Sequence, residues 1–180
     1  YSSDTTAAIP SANLSVARAG LAATGNSTHG YFGGGTPGPS LMDKVTYSSD
    51  TTAAVPGANL SVARYNLAAT GNSTHGYFGG GFPNTSLMDK VTYSSDTTAA
   101  VPGANLSVAR FGLAASSARA NALPATELTL FSAPSSPATR FSDGAVPSPN
   151  TGYFGGGGTP SITSLMDKVT YSSDTTAAVP

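Results

Sequence analysis

The octapeptide Tyr-Ser-Ser-Asp-Thr-Thr-Ala-Ala occurs four times, beginning at Tyr1, Tyr47, Tyr93 and Tyr171. Successive copies lie 46 residues apart from Tyr1 to Tyr47 and again from Tyr47 to Tyr93, and the last interval is 78 residues. A second marker keeps the same order. Gly-Tyr-Phe-Gly-Gly-Gly stands at 30–35, 76–81 and 152–157, and each copy precedes Leu-Met-Asp-Lys-Val-Thr-Tyr-Ser-Ser-Asp. Repetition this close confines the chain to an array of one structural unit. A period in the forties with several short strands per unit points to propeller blades.

One unit divides into four predicted strands. The first covers 59–69, where small residues suit a crowded inner position, and Gly71-Asn72-Ser73-Thr74 then reads as a turn because Gly and Asn tolerate positive φ. The second is Gly76 to Gly79. The third is Leu87 to Ser94, where Leu87, Asp89, Val91 and Tyr93 alternate with Met88, Lys90 and Thr92 at the strand period of two. A hairpin turn at 94–97 leads to a fourth strand, Thr98 to Val101, which Pro102-Gly103 breaks.

These residues resemble the Kelch repeat. Tyr-Phe-Gly-Gly matches the strand that ends in a Gly pair, and Val-Thr-Tyr-Ser-Ser-Asp matches the strand that follows. Arg18, Arg64 and Arg110 stand at the position of the family's basic loop residue, while Ala54 or Val55 occupies the region of its outer-strand Trp. The resemblance implies an all-β fold of four-stranded antiparallel β-propeller blades. Its units are an outer strand of a preceding blade at 1–10, blades at 11–56 and 57–102, and a third at 103–180 interrupted at 116–150. The interruption is either a compressed, decayed repeat or a long surface loop. The near-identical repeats are also similar to those of predicted phage tail or surface-appendage proteins.

This parse predicts thirteen strands, one outer strand followed by three full blades. Closed propellers hold about 4 to 8 blades. Three are therefore expected to need company, either further blades of a longer array or further copies of the chain.

Composition narrows the function classes. Only 9% of residues are charged and the net charge is −1, so no basic stripe for nucleic acid and no basic amphipathic helix for a membrane surface is present. No apolar run reaches the ~18 residues that span a bilayer. No basic-then-apolar signal opens the sequence, although a start at Tyr1 leaves room for a removed one. The chain has no Cys, which excludes disulfides and thiolate metal sites. Gly (21) and Pro (13) are plentiful, but the long exact register argues against disorder.

No catalytic constellation emerges. His29 and His75 recur in Ser-Thr-His-Gly-Tyr without a nucleophile and read as turn residues. Asp4, Asp50, Asp96 and Asp174 read as turn caps. The Gly runs lie between strands, unlike a phosphate loop opening a helix, and are expected where backbones approach near a propeller's central channel. Kelch-type copper oxidases need a Cys-linked Tyr, and sialidase propellers an arginine triad. The first is excluded here, and the three Arg residues occupy equivalent positions, as repetition requires. Asn-X-Ser/Thr sequons at Asn13, Asn26, Asn59, Asn72, Asn84 and Asn105 would accept glycans only in a secretory host.

Two residue sets remain as site candidates. Arg18, Arg64 and Arg110 with Asp43, Asp89 and Asp167 are expected to form contacts that staple neighbouring blades. Tyr31, Tyr77 and Tyr153 are candidate ligand-binding platforms. The expected function is a non-enzymatic structural or interaction module, virion-associated or extracellular. Its partners would be copies of itself, further blades, other virion proteins or surface glycans, with no cofactor, no metal, no nucleic acid and no membrane. The alternatives are a lectin with one sugar site per blade, its Tyr rings facing solvent, and a propeller hydrolase or lyase, for which Glu127 is the single Glu.

Overall fold

The computed structural model describes residues 6–37, 40–117, 150–159 and 161–179. These form three four-stranded antiparallel sheets with strands in sequence order. The first sheet comprises β1 (Ala22–Gly25), β2 (His29–Gly33), β3 (Met42–Thr46) and β4 (Thr51–Ala54). The second comprises β5 (Ala68–Gly71), β6 (His75–Gly79), β7 (Met88–Thr92) and β8 (Thr97–Ala100). The third comprises β9 (Ala114–Ser117), β10 (Thr151–Gly155), β11 (Met166–Thr170) and β12 (Thr175–Val179). Consecutive sheets meet along their first strands, β1 beside β5 and β5 beside β9.

Two sequence expectations are corrected. The first strand of the second unit covers 68–71, not 59–69. The preceding stretch is a loop because Asn66 adopts φ 51°, as Gly20 (66°) and Gly112 (64°) do at the equivalent positions, and left-handed backbone cannot continue a strand. The loop opens with a single 3-10 turn, Pro56–Ala58, whose Pro pre-sets the helical φ. The described residues also hold twelve strands, not thirteen. Residues 6–9 carry no strand, and the rest of the expected outer strand lies outside the described residues. Of the 116–150 interruption, Ser116 and Ser117 belong to β9 and Asn150 precedes β10, while 118–149 lie outside the described residues.

The core lies at the seams between sheets. One cluster joins Tyr31 and Met42 of the first unit to Ala58, Leu60, Leu67, Phe78, Val91 and Tyr93 of the second. The other joins Ala68, Tyr77 and Met88 to Ala104, Leu106, Leu113, Phe154, Val169 and Tyr171. Strand alternation produces this. In β6–β7, Tyr77 pairs with Lys90 and Gly79 with Met88, so these four share one face, turned to the third sheet. Phe78, paired with Asp89, and Val91, paired with Gly76, turn to the first. Both faces of the middle sheet are therefore covered along β6 and β7, while β8 stays largely exposed.

Glycine is required at each seam. A Cβ on Gly33 would stand 2.9 Å from Phe78 Cε1, and one on Gly79 would stand 3.0 Å from Phe154 Cε1. The phenyl ring of each following unit thus rests on bare backbone of the one before. The close approach expected at a central channel occurs here, at the seam.

Phe78→Ala should lower unfolding stability by about 3–5 kcal/mol, because the ring is fully enclosed and its removal leaves a cavity between two sheets. Val108→Ala, on an exposed loop position, should stay within about 0.5 kcal/mol in the same denaturant titration.

Candidate interaction faces

Each seam is held by one polar constellation, repeated. At the first, the Tyr31 ring stacks on Tyr93 with centroids 4.8 Å apart at 20°. The Tyr31 hydroxyl donates to Asp96 Oδ1 at 2.5 Å, and Lys44 Nζ donates to Asp96 Oδ2. Thr24 Oγ1 and the Tyr93 hydroxyl lie 3.2 Å apart. At the second, Tyr77 stacks on Tyr171 at 4.7 Å and 20°, its hydroxyl donates to Asp174 at 2.5 Å, and Lys90 pairs with Asp174. Thr70 Oγ1 lies 3.1 Å from the Tyr171 hydroxyl.

Backbone geometry places the acceptor. Asp96 and Asp174 close the β7–β8 and β11–β12 hairpins at φ 51° and 50°. This left-handed conformation is one Asp tolerates better than most residues. Each carboxylate projects toward the preceding sheet. The expected role of these Asp residues as caps of their own turn gives way to a cross-seam one.

The electrostatics agree. Partial burial pushes the Asp96 carboxyl up, but the Lys44 ammonium and the Tyr31 hydroxyl outweigh it and hold the group below the ordinary carboxylate range. Asp174 is held down in the same way by Lys90 and Tyr77. Burial, then the neighbouring carboxylate, raises the hydroxyls of Tyr31 and Tyr77, so both remain donors at any physiological pH.

The Arg and Asp candidates do meet, but within a unit. Arg64 Nη2 lies 2.8 Å from Asp89 Oδ2, Arg110 Nη2 2.8 Å from Asp167 Oδ2, and Arg18 Nη2 2.5 Å from Asp43 Oδ2. All six side chains are fully enclosed. Arg64 also donates to the carbonyls of Leu87 (2.9 Å) and Phe78 (3.0 Å), and Ser61 N–H donates to Asp89 at 3.1 Å. The guanidinium therefore ties the entry loop to its own sheet, and the expected pairing across blades does not occur. The loop folds back on the strand pair it precedes, which brings each guanidinium to the carboxylate of its own unit. It is the Arg carbonyls that cross the seams: Gly35 N–H donates to Arg64 O at 3.0 Å and Gly81 N–H to Arg110 O at 2.9 Å.

Tyr31 and Tyr77 have no solvent-exposed ring, so neither is a platform for a sugar. Their enclosure comes from the following sheet. Tyr153, with no described sheet after it, is 40% exposed. His29 and His75 begin β2 and β6, their Nδ1 atoms 2.8 and 2.9 Å from the preceding Thr hydroxyl, and burial lowers the His75 imidazole. Among the described residues no three metal-ligating side chains converge, and no helix is long and apolar enough to cross a membrane.

Two faces of the seam type remain uncovered. The first sheet turns outward Tyr47 and Asp50, both exposed, with Phe32 and Val45 half-buried where Phe78 and Val91 are enclosed. The third turns outward Tyr153, Leu165, Met166 and half-buried Lys168, where Tyr77 and Met88 are enclosed. Lys44 and Lys90 are not among the candidate site residues of the sequence, and the turn Asp residues read there only as caps. The available signal was the register, which sets Tyr31 and Lys44 side by side on one face of a hairpin.

The seam carboxylates make stability pH-dependent. The folded Asp96 and Asp174 ionise below the unfolded value near ~3.9. Their stabilising contribution is thus complete above that pH and is lost as pH falls through the folded values. Thermal unfolding across pH 2–6 should show a steep acid decline, and the Asp96→Asn, Asp174→Asn double variant should show a shallower one.

No family model and no curated protein matches the chain. Among solved structures it is similar to one titled "Structure of YjhT", at TM-score 0.63 and 9% identity over 92% of this chain and 52% of that one. That structure has a β-propeller-like fold. The likeness is one of fold alone, and the chain spans about half the length of the protein it matches.

Proposed function

We propose that this chain is a non-enzymatic structural and interaction module of Kelch-like β-propeller blades, acting by stacking unit on unit. One observation carries the reading. The Tyr–Tyr stack with its Tyr and Lys donors to a turn Asp is built twice inside the chain, and the two halves of the same contact stand open on the outer sheets. The charged side chains support it as well. The Arg–Asp pairs and the Lys44 and Lys90 pairs are engaged in holding loops and seams, which is structural use. In such an array each unit contributes its own stability and a nearest-neighbour term, and the second is the larger where cores lie at seams.

The test is to extend the chain after Pro180 with a further copy of residues 57–102. The expected result is that the added strands gain amide-exchange protection comparable to that of β5–β8. Exchange of the added unit at unfolded-chain rates would sink the reading, because a unit that cannot dock on the open third sheet cannot act by stacking.

A further inference from the structure

We infer that the open face of the third sheet receives the open face of the first sheet of a second copy of this chain, two copies closing into a ring of six sheets. The inference rests on the stacking function proposed above and names its partner. The donor half of each internal seam is Tyr31, Lys44 and Met42, then Tyr77, Lys90 and Met88. The third sheet presents Tyr153, Lys168 and Met166 in the same register, since Tyr153 pairs with Lys168 and Gly155 with Met166. The acceptor half is Phe78, Val91, Tyr93 and Asp96, then Phe154, Val169, Tyr171 and Asp174. The first sheet presents Phe32, Val45, Tyr47 and Asp50, and Asp50 already holds the required left-handed turn at φ 49°.

Charge and shape are complementary. Lys168 holds the position from which Lys44 and Lys90 each reach a carboxylate, and Asp50 holds the position at which Asp96 and Asp174 each receive an ammonium. Gly155 leaves bare backbone at the place where Gly33 and Gly79 each receive a phenyl ring, and Phe32 is the ring of the opposite face. Ser116 occupies the β9 position of Thr24 and Thr70, so a hydroxyl is in place for Tyr47. Within one copy these faces do not cover each other, since both are solvent-exposed.

A contact between two different faces is heterologous and either closes or propagates. The matched fold sets the closure. This chain spans 52% of that structure's length, so two copies about equal it in length, which favours closure at six sheets. The ring then holds four internal seams and two between copies, all of one kind.

The test is the solution mass of the native chain from 1 to 200 µM (a range of order suited to an interface of this kind), with two charge reversals, Lys168→Glu and Asp50→Arg. The expected wild-type mass is twice 17.8 kDa. Each variant alone sets like charges together at both contacts and should dimerise roughly 100-fold more weakly. Mixed in equal amounts they should recover the dimer, because one contact becomes an inverted Glu–Arg pair and the other regains the native Lys168–Asp50 pair. That recovery also shows that both variants fold. A wild-type monomer throughout the range would overturn the inference and leave a further repeat unit of a longer polypeptide as the occupant. A ladder of larger species would overturn it, as would a mixture that stays monomeric. A monomer whose appended 57–102 copy still docks would remove the second copy while leaving the stacking function standing.

Discussion

The structure depends on sheets whose two faces are both apolar and whose own side chains are too small to bury them. A unit of four short strands rich in Ala, Gly and Thr has no interior. Its apolar area leaves water only when another unit lies against it, and without that gain the entropy of ordering the chain is not offset. Both hydrophobic clusters therefore draw on two consecutive units, and neither belongs to one. The Gly run follows from the same constraint. Sheets that share Phe78 or Phe154 across a seam must approach until the ring touches backbone, which only a residue without Cβ permits.

Polar chemistry at the seams supplies direction. Stacked Tyr rings would tolerate sliding, but a hydroxyl and an ammonium that converge on one turn carboxylate do not. Side chains at the Lys–Asp pairs are about a quarter exposed, so their Coulomb attraction is weakened by solvent and their main effect is register. The enclosed Arg–Asp pairs act differently. Removing two charges from water costs nearly as much as their attraction returns. Arg64 Nε and Asp89 Oδ1 also lack partners, as do the equivalent atoms of the other two pairs. Such a pair adds little net stability. It anchors an entry loop whose carbonyl then bonds to the preceding unit, linking intra-unit order to inter-unit docking.

The difference between enclosed and open copies of identical residues shows the same dependence. Tyr77 and Tyr153 occupy matching sequence contexts, yet one is sealed and the other is 40% exposed. Nothing local distinguishes them. The presence or absence of a following sheet does, as it does for Met166 beside Met88, and the presence or absence of a preceding sheet does the same for Val45 beside Val91. An interaction surface in this chain is thus a core that has lost its other half.

Sequence by itself determined the repeating unit and the second, third and fourth of its strands. The period of 46, the alternation from Leu87 to Ser94 and the Gly-Tyr-Phe-Gly signal are local patterns, and strand pairing within a hairpin is fixed by local turns. It also marked Arg64 and Asp89 as partners in kind. It could not separate loop from strand at 59–67, because small residues suit both and only the left-handed Asn66 divides them. Which face of each strand meets which neighbour was decided by tertiary structure. So were the role of Asp96 as a seam acceptor, the pairing of Arg with its own unit and the enclosure of Tyr31 and Tyr77. The physical reason is that the seam contacts join residues far apart in sequence, such as Tyr31 with Asp96 (separation 65) and Thr70 with Tyr171 (separation 101), and that a repeating sequence offers several identical candidates for each contact, the Arg–Asp pairs included. Only packing selects among them.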